Sequence, residues 1–527
     1  MVAVQTGSET VVNVAEPSVG RPGGRGAVSL DQVIRGLLLA IIAIGAGVAV
    51  AISPLSLAVI AGLIIAVWLI AIGRQSIAVF HGSLTVLLVG YAFFGKGFAY
   101  FGLPPLYVGE CCLALGVVAI LHSLRHVRFS LPLLLLLLFM AWGLLRTVPY
   151  LGTYGLFAIR DGVTWEYGLF AIAVALTVRR EHLEHVVAIY RRGALVLVWW
   201  IPIAFVLTLR FSSSLPPFPG APVPFVFIKA GDSGVQLAGI AAFVLLGLYS
   251  ARDTAPPRQI LLWSGWFIAA GFAALSRGAM LAMAATAACL LFVVSVPRLL
   301  SLAFVGAAFA VLLLTVNPEV DLGLQRNISM TQLLTNITSI TGDDNAQLAA
   351  SKDWRLAWWG KIYGYTVDGP YFWVGKGFGV NLATDDGFQV DAEQSLRAPH
   401  NTHLEILARA GVPGLALWGL FQIAFASALL RAVAIARRIN EAAWIPLLGW
   451  VFVYWLAALI NGSFDVYLGG PQGGIWFWSM VGLGLALIRM VDERVAIARE
   501  VPSPSPANRG ASPGRSAWDR GQGVART

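Results

Sequence analysis

Long apolar runs separated by short polar connections repeat along most of this chain. At about 1.5 Å of rise per helical residue, each run approaches the length needed to cross a hydrocarbon core of roughly 30 Å. The first set lies near Leu37–Ile52, Leu55–Ile72, Ser76–Phe94, Leu106–Leu121, Leu131–Leu145, Gly162–Val178 and Ala194–Leu209. The second lies near Gly234–Tyr249, Ile260–Leu275, Ala279–Val296, Leu299–Val316, Val412–Leu430, Trp444–Ile460 and Ile475–Ile488. The pattern predicts an all-α polytopic membrane protein of about fourteen transmembrane helices, with about twelve as the lower bound. The Leu37 and Leu299 runs are short and read equally well as tilted, broken or partly interfacial segments. One connection, 317–411, is far longer than an unstructured loop usually is, so a folded extracytoplasmic cap is expected there. The expected layout is a tail at 1–34, a helical bundle at 35–316, the cap at 317–411, further membrane helices at 412–490 and a second tail at 491–527.

Composition agrees with lipid as the main solvent: 58% of residues are hydrophobic and only 12% charged, with a mean hydropathy of +0.76. Both tails are rich in Pro, Gly, Ser and Arg without apolar periodicity and are expected to be disordered. No secretory signal peptide is visible, so a cytoplasmic N-terminus is expected. Cys111, Cys112 and Cys289 fall inside predicted spans with neither disulfide nor zinc spacing, and read as packing residues.

Charge sets the orientation, because short cytoplasmic loops collect Lys and Arg. One alternate set of loops holds Arg74, Arg125, Arg128, Arg179, Arg180, Arg191, Arg192, Arg252, Arg258, Arg298, Arg431, Arg437, Arg438, Arg489, Arg494 and Arg499. That set marks the cytoplasmic side of what is expected to be the inner membrane, with both termini on it. The formal charge of +9 then describes loops beside anionic lipid, and nucleic acid is not an expected partner.

Cations on the opposite side ask for a reason. Arg160 in FAIRDGVTWEYG and Arg277 in ALSRGAML both fall where a helix is expected to begin, and Arg355 lies in the long connection. An arginine beside unpaired helix N–H groups makes an anion site at the membrane surface, to which phosphate is suited. The plainer readings are an ion pair of Arg160 with Asp161 or Glu166, and snorkelling of Arg277 with Ser276 as a cap. Glu110, a turn inside the fourth span, faces protein or a watery cavity and is a candidate for a sugar hydroxyl, an arginine or a structural hydrogen bond.

The stretch RAPHNTHLEILARAGVPG, Arg397 to Gly414, places a histidine pair, an asparagine and a glutamate beside a proline just before an apolar run resumes. Thr402 and Glu405 match a capping box, which accounts for those two residues. His400 and Asn401 are left over. A neutral imidazole beside arginines suits a general base working next to an anion, so His400 is the candidate base, while His403 reads as structural. No metal-ligand spacing accompanies the pair. In KDWRLAWWGKIYGYTV, Trp354, Trp358, Ile362 and Tyr365 share one helical face, which predicts a helix lying flat at the lipid boundary.

These stretches carry a resemblance. HNTHLEILARAGVPGLALWGL, preceded by DWRLAWWGKIYGYTVDGPYFWVGKGFG and by LSRGAML, resembles the O-antigen ligase and O-antigen polymerase superfamily of bacterial envelope glycosyltransferases, over roughly Tyr107 to Leu430. The resemblance implies a multi-span (GT-C-like) glycosyltransferase fold and a glycan donor carried on undecaprenyl diphosphate. It also implies a glycan or lipid-linked acceptor, surface-polysaccharide assembly proteins as partners, and no cofactor or metal. Carried over residue by residue, His400 matches the proposed loop base, Arg277 the arginine of the Ser-Arg-Gly turn and Arg160 the arginine before the middle span. Arg355 matches the arginine preceding the Trp-rich helix. Asn401, Glu405 and Glu110 are candidates for binding or orienting substrate. A transporter or exporter is the competing class, since many spans and few charges also describe a translocation path, but the unusual charges gather at one face. A non-catalytic scaffold is a third. Neither a P-loop nor a Rossmann fingerprint is present.

Overall fold

The computed structural model describes residues 75–103, 106–124, 129–249, 256–291 and 346–500, with scattered single positions between 294 and 315. The expected spans Leu37–Ile52 and Leu55–Ile72, and almost all of Leu299–Val316, lie outside the described residues, as do the first tail and 501–527, while 491–500, expected in the second tail, are helical.

The described chain is helical. In order the main helices are α1 (Gln75–Phe94), α2 (Val108–Ser123), α3 (Leu131–Thr147), α4 (Leu156–Glu166), α5 (Gly168–Thr177), α6 (Arg180–Arg210) and α7 (Ala230–Leu245). They are followed by α8 (Pro256–Ala273), α9 (Arg277–Leu291), α10 (Ala346–Thr366), α11 (Leu382–Asp386), α12 (Thr402–Arg438), α13 (Trp444–Gly462) and α14 (Pro471–Glu500). A two-stranded antiparallel ribbon, β1 (Gly102–Leu103) with β2 (Leu106–Tyr107), joins α1 to α2. Among the described residues six helices are long and apolar enough to cross a membrane: α1, α3, α6, α12, α13 and α14. Shorter apolar helices include α2, α5, α7 and α9. The expected single run Gly162–Val178 is divided between α4 and α5, which part at Tyr167.

Lipid tails are as apolar as leucine, so helices in a bilayer associate through close packing and shared polar contacts. A Cβ on Gly234 would stand 2.3 Å from that of Ala279, and one on Gly482 would stand 2.6 Å from the Ala171 carbonyl, so α7–α9 and α14–α5 approach as only glycine allows. Indole N–H groups supply the polar contacts. Trp476 donates to the Leu88 carbonyl, Trp478 to that of Thr164 and Trp266 to that of Leu237, each bond crossing between helices.

The connections expected outside the membrane meet one another. Lys96 N–H donates to Phe227 O, Arg146 Nε to Val374 O, and Lys229 pairs with Asp465. Above them α10, α11 and the first turns of α12 form a small second core of Trp358, Ile362, Leu382, Ala383, Leu407 and Ala408. This corrects the flat interfacial helix. Trp358 and Ile362 are fully buried in protein, Trp354 and Tyr365 pack against the same core, and the Trp358 indole donates to Asp386 at 2.7 Å. The aromatic stripe found apolar partners within the cap, so it does not face lipid.

α12 contains a break. Gly411 has φ 70° and ψ −173°, which divides the helix into a segment within the cap and a longer apolar one. Three carbonyls beside the break find partners outside the helix: Ala408 O accepts from Lys376 N, Arg409 O from Gly377 N, and Ala410 O from the Trp142 indole. Pro413, which has no N–H, follows as the next turn begins.

Candidate active site

The site is built around the turn after α13. His400 Nδ1 stands 3.4 Å from Asp465 Oδ1, and Asp465 Oδ2 stands 3.5 Å from Lys229 Nζ. Burial opposes the Asp465 charge, yet the hydrogen bond from His400 and the Lys229 ammonium hold its carboxyl well below the usual carboxylate range. Lys229 shows the converse. Burial pulls it down, and Asp465 with Asp232 outweighs that and holds it above its ordinary value. With Nδ1 engaged by the carboxylate, Nε2 is the nitrogen His400 has left to accept a proton.

Local backbone explains how His400 comes to stand apart from the helix that follows it. Pro399 offers its carbonyl to the Trp359 indole, His400 then takes a left-handed φ of 53°, and Asn401 is extended. The Asn401 side-chain oxygen accepts from His403 N and Leu404 N, so Asn401 is the N-cap of α12. This corrects the capping box. Thr402 Oγ1 donates to Asp465 O at 3.4 Å, and Glu405 turns away from the cap to Arg409, 3.1 Å distant.

His403 is held on both sides. Its Nδ1 accepts from the Trp418 indole at 3.0 Å, which leaves Nε2 to donate to Ser463 Oγ at 3.1 Å.

The expected cations approach this turn from separate helices. Arg277 is the first residue of α9, and a Cβ on the adjoining Gly278 would stand 2.9 Å from Asn461 Oδ1 and 3.1 Å from Phe464 Cβ. Arg355 Nη1 donates to Phe464 O at 3.1 Å. Arg160 is exposed and lies within α4, which starts at Leu156, so it does not open a helix as expected. Nor does it pair with Asp161, whose carboxylate is taken by two other arginines. The Arg160 charge bears instead on Lys96, a cation the sequence reading passed over. Burial pushes the Lys96 ammonium below its usual range, Lys229 and Arg160 push the same way, and Asp465 and Asp232 oppose them. Arg160, Lys96, Lys229, Asp465 and His400 thus form one electrostatic neighbourhood. Glu110 lies in the first turn of α2, where its Oε1 accepts from the Tyr167 hydroxyl at 3.3 Å.

A second network beneath the cap also escaped the sequence reading. Asp161 on α4 receives Arg397 Nε and Nη2 at 3.1 and 2.8 Å, and Arg409 Nη1 at 3.0 Å. Arg409, 1% exposed, also binds Glu405 and the Val380 carbonyl. Glu405 is therefore embedded in this network at 4% exposure, and the Asn401 oxygen is committed to the cap. Arg397 and Arg409 belong to the same polar stretch that drew attention to His400. Their partner Asp161 was the available signal, since an acid inside an apolar helix calls for a cation.

No curated protein matches the chain. Residues 260–419, from α8 through the break in α12, match a family model and include Arg277, Arg355, His400 and Asn401, while Arg160, Lys229 and Asp465 lie outside the match. The family so matched is O-antigen ligase, and this membrane protein carries its domain over residues 260–419.

Proposed function

We propose that the protein is a glycosyltransferase of the O-antigen ligase and polymerase type. It moves or joins oligosaccharide carried on undecaprenyl diphosphate at the outer face of the cytoplasmic membrane, in the assembly of O-antigen, capsule or exopolysaccharide. The observation that carries this reading is the line His400–Asp465–Lys229, with Arg355 bound to the same turn and Arg277 beginning the helix packed against it.

In the proposed step His400 Nε2 takes the proton from an acceptor hydroxyl as its oxygen attacks the anomeric carbon of the donor. The bond from that carbon to the diphosphate oxygen breaks, and the electron pair leaves with the diphosphate, which stays on its lipid. Asp465 holds the imidazole by Nδ1 and stabilises the imidazolium that forms. Arg277, Arg355, Arg160 and Lys96 surround the charge that grows on the leaving group, and a well-placed donor of this kind contributes about 10²–10³ in rate. Attack from the side opposite the leaving group inverts the anomeric centre, and these cations do the neutralising a metal ion would otherwise do.

The test is transfer by the purified full-length protein, given a lipid-linked oligosaccharide and an acceptor glycan. His400→Asn is the informative variant, because asparagine tolerates a left-handed backbone and still lacks a base. A loss of about 10²–10⁴ in turnover is expected for it, and about 10²–10³ for Arg277→Ala. Undiminished turnover in both removes the assignment.

A further inference from the structure

Away from this site, an apolar groove of about 290 Å³ runs between α1, α6 and α14, floored by α5, α7 and α13. Along α6 it extends from His182 to Leu197, roughly 20 Å at helical rise. One leaflet of a bilayer contributes roughly 15 Å of hydrocarbon. A single lipid chain therefore fits it lengthwise.

The two ends differ. Toward the candidate active site the groove meets an aromatic cluster: Phe93 and Phe94 pack on Trp200, Phe94 also packs on Phe98 and Phe225, and the Trp200 indole donates to Phe93 O. At the other end stand His81, His182 and His185. This is the end that the basic loops mark as cytoplasmic.

Hydrogen bonds fix what those histidines present. Thr177 Oγ1 donates to Ala173 O, so it accepts from His81 Nε2 at 2.8 Å. His182 Nδ1 accepts from Arg179 N at 3.0 Å, which leaves its Nε2 as a donor, and His81 and His182 meet edge to face at 4.8 Å. Arg179 and His185 are exposed. The other charges here have partners or are acids: Arg180 lies over Trp444, Arg489 binds Glu493 and Val178 O, Glu181 is 4.0 Å from His182 Nε2, and Glu184 is exposed.

We propose that this groove holds one acyl chain of an anionic phospholipid, with the headgroup resting on Arg179, His182 and His185. The lipid enters from the leaflet at the basic end and fills the seam between α1 and α6. It is separate from the glycan donor, and the assignment does not depend on glycosyl transfer.

Native mass spectrometry of the full-length protein in detergent, with phosphatidylglycerol, phosphatidylcholine or undecaprenyl phosphate added at equal concentration, tests it. One phosphatidylglycerol per chain is expected, preferred over phosphatidylcholine by about fivefold, the factor one cation contributes at an anionic surface. Gly193 lines the groove and has nothing within 4 Å of where a Cβ would stand, so Gly193→Trp fits and is expected to abolish the adduct. The exposed His185→Glu should keep the fold and lose the preference for the anionic lipid. Equal binding of the two phospholipids overturns the proposal, as does an undiminished adduct in Gly193→Trp. Preferential binding of undecaprenyl phosphate also overturns it, by giving the groove to the donor's tail. None of these outcomes bears on whether His400→Asn transfers glycan.

Discussion

A residue with a Cβ adopts the left-handed region at a cost of about 1 kcal/mol or more, and His400 sits there, at φ 53°. The surrounding contacts over-determine that conformation, with Pro399 bonded before it, Asn401 capping after it and Asp465 against its ring. Asp465 is the partner that gives the imidazole its orientation. Asp465→Asn keeps the size of the side chain and removes the charge, so turnover should fall by about 10²–10⁴-fold with donor KM changed far less. A rise in KM with turnover unchanged would instead place Asp465 among the binding groups. At this scale the sequence was partly readable. His400, Arg277 and Arg355 stood out because polar residues are conspicuous among apolar runs. Asp465 and Lys229 did not, because the loops bearing them lie far apart in the chain and no spacing rule connects them.

Among the elements, α12 shows what a single glycine decides. A Cβ at Gly411 would stand 2.5 Å from the Phe372 carbonyl, and its φ of 70° already disfavours any other residue. Gly411→Ala should destabilise the protein by about 1–3 kcal/mol, read as a lower melting temperature in detergent. An unchanged melting temperature would mean that the break tolerates an ordinary residue. The apolar runs were legible because a bilayer fixes their length. The aromatic face of α10 was not legible in its destination, since a stripe of Trp and Ile at helical spacing is the same whether its partner is lipid or protein. Here Phe388 stacks on Trp358 at 5.4 Å, and that partner comes from a later part of the chain.

At the level of the whole molecule, the cap is fastened to the bundle through Asp161. Removing one member of a buried charge network leaves the others unpaired, at about 3–5 kcal/mol. Asp161→Ala is therefore expected to loosen the cap and speed proteolysis within 346–411, with the apolar helices retained; a cap as resistant as before would show that the remaining contacts suffice. The fastening was hidden from sequence because Asp161 sits beside Arg160, the more obvious partner, and the fold turned it toward Arg397 and Arg409.

The turn from Asn461 to Asp465 has one further consequence. Gly231, Gly278 and Thr402, each within two residues of the start of a helix, touch it from three directions. The positive dipole ends of α7, α9 and α12 therefore meet at one spot against the single negative end of α13, leaving it electropositive before any side chain is counted. A diffusing polyanion would be drawn to this corner of the surface faster at low ionic strength than at high, and that salt sensitivity should persist even when a single arginine is removed.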